Sequence, residues 1–262
     1  MATAVKRSPV AAGGTSAPSP WLRTLSWCVL LIVWQLASMA ANTDTLPSPA
    51  QVFHRLWVDT ASGELPYHLA VTLLRVAVSF ALAMLIGVSL GIVMGRCPRV
   101  DMASDGMVLL ALNTPALIVI ILCYVWLGLT EVAAILAVVI NKVPMVTITV
   151  REGARAVDRQ LLEVAEAYRL PLPRVVRRIY LPQLLPYVIA AARSGLSLIW
   201  KIVLVVELLG RSSGMGFKLA TFFQFFDVTS ILAYTLAFVA VVLVVEGLLM
   251  RPLDRYAARW QV

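Results

Sequence analysis

Apolar residues run along this chain in long, nearly unbroken blocks separated by short polar or basic stretches, a pattern unlike the period-2 alternation of half-buried strands. Blocks near the roughly 20 residues that cross about 30 Å of hydrocarbon fall at 22–41, 69–95, 103–128, 131–150, 184–209 and 231–250. Inside a bilayer the backbone must satisfy its own hydrogen bonds, so spans are helices or a closed barrel, and uninterrupted blocks select helices. The expected fold is therefore all-α, a polytopic transmembrane protein with six spans. Pro115 and Pro144 fall inside the third and fourth spans, where a proline frees a carbonyl and bends the helix. That predicts kinks in two helices facing the interior. Residues 1–20, rich in Pro, Ser, Ala and Gly, read as a disordered tail before one membrane domain over 21–262. Lys6 and Arg7 are followed by Pro and Gly rather than an apolar core, so the first block reads as a retained span and not a signal peptide.

Composition strengthens this reading: 60% of residues are hydrophobic and 14% charged, and mean hydropathy is +0.87, beyond the range of water-soluble domains. The net charge of +8 suggests a nucleic-acid partner until the basic residues are placed. With the N-terminus inside, fifteen of the 22 lysines and arginines lie in cytoplasmic segments and three, Arg55, Arg211 and Lys218, lie outside. The asymmetry follows the positive-inside rule, predicts two cytoplasmic termini and leaves no need for nucleic acid. Cys28, Cys97 and Cys123 lack metal-binding spacing and read as buried thiols. No G-x-x-x-x-G-K-[ST] loop and no H-E-x-x-H helix occurs, and His54 and His68 lie toward the outer side. The sequence thus suggests no enzyme site, no cofactor and no metal; any ATP must be hydrolysed by another chain.

The stretch 151–182, between the fourth and fifth spans, is polar, helix-forming and longer than a connector needs. Leu161, Leu162, Ala165 and Tyr168 recur at helical spacing behind Asp158, a candidate N-cap. The sequence Leu170-Pro171-Leu172-Pro173 then breaks the helix, and a short basic helix is expected from Pro173 to Tyr180. The result is a helix-turn-helix on the cytoplasmic face with a surface open to a soluble partner, or an amphipathic surface anchor.

This stretch resembles the EAA loop of ABC-importer permeases, with Glu163, Val164, Ala165, Arg169, Ile179, Leu181 and Pro182 at the motif positions. The flanks resemble the nitrate/sulfonate/taurine branch: LPSP at 46–49, HLAVTLLR at 68–75, GVSLGIVMGR at 87–96, REGARAVD at 151–158 and VVELLGRSSGMG at 205–216. The resemblance implies a type I permease of a bacterial inner membrane, with no ATPase of its own. It also implies two cytoplasmic ATP-binding subunits gripping the loop through Glu163, a second permease copy and an extracytoplasmic substrate-binding protein. Arg169 stands where the motif has glycine. Since a non-glycine residue in the left-handed region costs about 1–2 kcal/mol, the prolines are expected to make the turn instead.

Ionisable residues inside spans are costly and need partners or a role. Arg75 and Glu207 lie near the outer ends of their spans and are expected to snorkel outward. Arg193, Ser197 and Lys201 recur at i, i+4 and i+8, drifting about 40° per step, and so form one polar stripe. Lys142, beside Asn141, lies nine residues before Arg151, about 14 Å deep. These residues suggest a path for a small anion, with Lys142 pairing to a carboxylate as the packing alternative. Gly214 and Gly216 suggest an outer loop or gate. A secondary transporter driven by an ion gradient is the competing function; the sequence shows no convincing mirror of one half in the other.

Overall fold

The computed structural model describes residues 20–250 apart from Asn42 and Asp44, so the tail at 1–19 and the C-terminal stretch lie outside the described residues. The described residues form helices: α1 (Pro20–Ala41), α2 (Pro49–Ala61), α3 (Glu64–Arg96), α4 (Pro98–Asn113), α5 (Ala116–Leu127), α6 (Glu131–Arg155), α7 (Arg159–Ala167), α8 (Leu172–Val175), α9 (Leu181–Gly210), α10 (Met215–Gln224) and α11 (Val228–Val245). Among them four stretches are long and apolar enough to cross a membrane, at Glu64–Arg96, Glu131–Arg155, Leu172–Gly210 and Val228–Leu248. The bent pair α4 and α5 makes five if counted as one span, and α1 offers the shorter apolar stretch Cys28–Ala41.

α6 is the hub. It packs against α3, α5, α9 and α4, and its apolar window is half buried. Its seam with α3 is built on small residues: a Cβ added at Gly87, Gly91 or Gly95 would meet Val146 Cβ at 2.6 Å, Val150 Cβ at 2.8 Å or Ala154 Cβ at 2.5 Å. Glycine every fourth residue lets two backbones approach where lipid gives no hydrophobic incentive to pack. One apolar cluster includes Val138, Ile199, Val203 and Tyr234; a second gathers Val146, Val150, Tyr180 and Leu184. Large apolar side chains such as Leu85, Leu110 and Trp126 point outward, as a hydrocarbon solvent permits.

The two prolines behave differently. At Pro115 the expected kink is a near right angle, 96° between α4 and α5, because Pro115 fixes Thr114 in an extended conformation (φ −72°, ψ 124°). Pro144 leaves α6 unbroken from Glu131 to Arg155, with the proline itself buried among the helices around it. Two of the cysteines also depart from expectation. Cys28 and Cys97 are exposed, Cys97 at the α3–α4 corner, and only Cys123 is buried.

The basic helix expected at Pro173–Tyr180 is not a separate element. α8 runs into a π-helical turn, Val176–Tyr180, and on into α9, so that Leu172–Gly210 is one helical rod of 39 residues. The wider turn allows the chain to absorb an extra residue without breaking the helix.

Candidate functional site

The N-terminal ends of α3 and α6 and the C-terminal end of α9 converge on the loop Arg211–Gly216. His68, Thr72 and Arg75 lie on one face of α3, at i, i+4 and i+7, and hold that loop. The Gly214 N–H donates to His68 Nδ1 at 3.0 Å, and the Met215 N–H to Thr72 Oγ1 at 2.8 Å. Arg75 donates through Nη1 to Glu207 Oε1 and to the Ser213 carbonyl, both at 2.7 Å. It also grips Glu131 bidentately at 2.8 and 2.6 Å and reaches Ser213 Oγ at 3.0 Å. Those five bonds use every donor a guanidinium has. Glu207, 0% exposed, also accepts from Thr72 Oγ1 and from the Gly216 N–H, each at 2.9 Å. Arg211 completes the cluster with Glu131 at 2.5 Å and with the Leu129 carbonyl.

Arg75 and Glu207 therefore do not snorkel; each is buried and finds the other across the bundle. His68 is likewise buried rather than at the surface. The pairing is physically favoured because a saturated guanidinium and a carboxylate with three donors lose little on leaving water, whereas either alone is costly. The sequence signal for this cluster is the polar face at 68, 72 and 75 on an otherwise apolar helix. Gly214, at φ +109°, and Gly216 are the close-approach points of the loop. A Cβ at Gly214 would press on the Glu207 carboxylate, and one at Gly216 on the Leu204 carbonyl.

Further along α9, on an exposed face, Arg193, Ser197 and Lys201 line one cavity of about 200 Å³. Trp200 and Phe238, in edge contact at 5.8 Å, wall it, and the Glu246 carboxylate lines it as well. Asn141 and Lys142 do not line it. Lys142, 3% exposed, is enclosed within the α6 packing, with its Nζ 3.5 Å from Met145 Sδ. Among the described residues no carboxylate pairs with it.

The loop between α6 and α9 carries Asp158, which caps α7 by accepting from the Gln160 N–H at 2.8 Å. The Gln183 side chain ties this start to α9, accepting from the Asp158 N–H at 2.9 Å. Ala165 is buried and Leu162 half-buried against the second cluster, while Leu161, Glu163, Val164 and Tyr168 face outward. α7 ends in a left-handed residue. Arg169 has φ +48°, its N–H bonds the Glu166 carbonyl and the Leu170 N–H reaches back to the Ala165 carbonyl, both at 2.9 Å. This is the double bond of a Schellman cap, so Arg169 makes the turn that the motif glycine would make. The expectation that the prolines replace it is corrected: two recovered hydrogen bonds outweigh a strain of about 1–2 kcal/mol. Ile179 and Pro182 are half-buried and Leu181 exposed beyond it.

At the C-terminal end of α6, Arg151 bonds Asp101 at 3.2 Å and Asp105 at 2.5 Å, and Arg155 bonds Asp101, clamping α4 to α6.

The bent α4–α5 pair, the helix-turn between α6 and α9 and the loop held by buried charges, all gathered around α6, define a polytopic helical membrane protein. Residues 69–256 match the family described as binding-protein-dependent transport system inner membrane component, and the chain belongs to that family. It is similar to a protein of Bacillus subtilis (strain 168) named as an aliphatic sulfonates transport permease protein, SsuC. The two are 29% identical over 244 residues, 92% of this chain and 88% of the other. The taurine transport system permease protein TauC of Escherichia coli (strain K12) is 26% identical over 238 residues, covering 88% of this chain and 86% of TauC. Among solved structures, an inward-facing MetNI methionine ABC transporter matches with TM-score 0.60 at 18% identity, over 73% of this chain and 93% of that one. An amino acid ABC transporter with histidines matches with TM-score 0.61 at 16% identity, over 78% and 97%. The chain is thus the multi-pass permease subunit of an ABC importer, a transport component that works with an ATPase and a binding protein.

Proposed function

We propose that this permease imports a small anion, of the sulfonate, taurine or nitrate kind, along a path that includes Arg193, Ser197 and Lys201. The observation that carries the reading is the shared cavity: two cations and a hydroxyl from successive turns of α9 open into one space. Cations in a low-dielectric groove concentrate anions. Relatives named for transport of aliphatic sulfonates, taurine, nitrate and bicarbonate are consistent with such a cargo. Lys142 and Asn141 lie outside that cavity and enter the path only if the helices part.

In this reading both termini and the loop 151–182 are cytoplasmic, and α1, the α4/α5 pair, α3, α6, the Leu172–Gly210 rod and α11 supply six spans in one domain over 21–262. Glu163, Val164 and Tyr168 face an ATP-binding subunit, and Ala165, Arg169, Ile179, Leu181 and Pro182 shape the surface behind them. Two permease copies and two ATPases form the transporter, and the binding protein docks over the loop of Gly214 and Gly216.

Uptake of a labelled sulfonate at limiting concentration tests the path. Lys201→Met is expected to lower the rate about tenfold, while Lys142→Met changes it less. Wild-type uptake by a correctly assembled Lys201→Met variant would end the anion-path reading. In the same assay Glu163→Lys is expected to abolish uptake with membrane insertion intact.

A further inference from the structure

Between α3 and α9, at the end where the π-turn begins, lies an apolar trough of about 490 Å³. Val88 and Ile92 of α3 form one wall, and Leu184, Leu185 and Val188 of α9 form the other. Their spacings, i and i+4 on one helix and i, i+1 and i+4 on the other, turn one apolar stripe of each helix into the slot. From Leu181 to Val188 the slot runs about 10 Å along α9.

The ionisable member of its lining is Arg177, in the π-turn at the slot's end. Arg96 follows Ile92 by four residues on the same face of α3, and its guanidinium lies over the Tyr180 ring at 5.0 Å. Both arginines are exposed, whereas Tyr180 beneath is buried. A hydrocarbon-walled slot thus ends at Arg177, with Arg96 one turn beyond Ile92 on the facing helix and stacked on Tyr180, three residues past Arg177.

We infer that this trough seats an acyl chain of an anionic phospholipid whose phosphate is held by Arg96 and Arg177. A soluble anion has no use for walls of leucine, isoleucine and valine, and a neutral lipid has no use for two guanidiniums. A phosphate ester with an alkyl tail uses both. The planar, multiply donating guanidinium matches phosphate oxygens bidentately, and basic pockets between spans at the membrane boundary hold such headgroups. Stacking on Tyr180 orients Arg96 before any lipid arrives. The assignment to the cytoplasmic leaflet rests on the proposed orientation; binding itself does not.

The full-length permease is purified in neutral detergent and offered equal amounts of phosphatidylglycerol and phosphatidylcholine, with retention read by native mass spectrometry. The parent is expected to hold phosphatidylglycerol with about a tenfold preference. Arg96→Ala with Arg177→Ala should bring the preference close to one. Val188→Trp, which fills the trough and leaves both arginines, should remove the retained lipid. Glycerol phosphate without acyl chains should not displace it. The inference is overturned if the parent shows no preference, if Val188→Trp retains lipid like the parent, or if glycerol phosphate displaces the lipid fully. It is also overturned if a cysteine at position 185 cross-links two copies in membranes, since a second copy then covers the trough. Size-exclusion profiles check folding, and Val188→Phe replaces a tryptophan variant that aggregates. Because the readout is made in detergent, a wrong orientation or a wrong cargo leaves it unaffected.

Discussion

The cluster around Arg75 and Glu207 and the cavity of Arg193, Ser197 and Lys201 are both polar islands in an apolar bundle, but one is closed and the other open. In the Arg75–Glu207 cluster every donor of Arg75 is used and Glu207 is wholly buried. In the cavity Arg193 and Lys201 are exposed to a space that can admit a solute. The difference teaches what a charge inside a membrane protein is for. A saturated, buried pair fixes geometry and offers nothing to a ligand, whereas a cation on the wall of an open cavity, such as Lys201, is within reach of something that comes and goes.

Substitutions that ought to separate the two islands begin with Glu207→Ala. Removing one partner leaves Arg75 buried with reduced compensation, and the expected loss is about 3–5 kcal/mol, read as a lowered thermal unfolding midpoint in detergent. Changing Arg75 and Glu207 together to Met is expected to recover part of it. A single variant as stable as the parent would show that the pair is not desolvated. Gly214→Ala comes next. The new methyl meets the Glu207 carboxylate at a left-handed φ, so a loss of about 1–3 kcal/mol is expected, with protease sensitivity at 211–216 as the local readout. Lys201→Met should change stability by no more than about 0.5 kcal/mol, however strongly it affects uptake; a large drop in the unfolding midpoint would place Lys201 with the structural charges.

The smallest effect concerns the Schellman turn. Arg169→Gly relieves left-handed strain but frees the unfolded chain, so a net gain of up to about 1 kcal/mol is expected. Slower hydrogen exchange at the end of α7 would report it, and faster exchange would mean that the arginine side chain contributes more than its backbone costs.

What could be read from the sequence was whatever depends on neighbours along the chain. The apolar block at 69–95 became Glu64–Arg96, that at 131–150 became Glu131–Arg155, and Asp158 caps α7. The departures have other causes. Arg75 and Glu207 are 132 residues apart, so their pairing is invisible to any local window. Pro115 and Pro144 look alike in sequence, yet only the packing around α6 keeps one helix whole. The Arg169 turn was misread because a strain of the size of one hydrogen bond decides nothing until the bonds that offset it are counted. Of the candidate path residues, the three on α9 share a cavity because helical spacing alone puts them there; Lys142 sits on another helix, and only the fold decides whether it joins them.

The fusion of α8, the π-turn and α9 has a mechanical corollary. A rod of 39 residues is about 58 Å long, with the turn after α7 at one end and Glu207, three residues from the other end, pinned to α3. Such a rod is a lever whose far end is already bolted. A tilt of about 5° at the Leu172 end corresponds to about 5 Å of travel over that length, more than the bonds of Glu207 to Arg75 and Gly216 can stretch. Displacement at one face of the bilayer must then either drag α3 along or flex the rod at its interior prolines, Pro182 and Pro186. The hinge is thus set by where the lever is bolted as much as by where it is pushed.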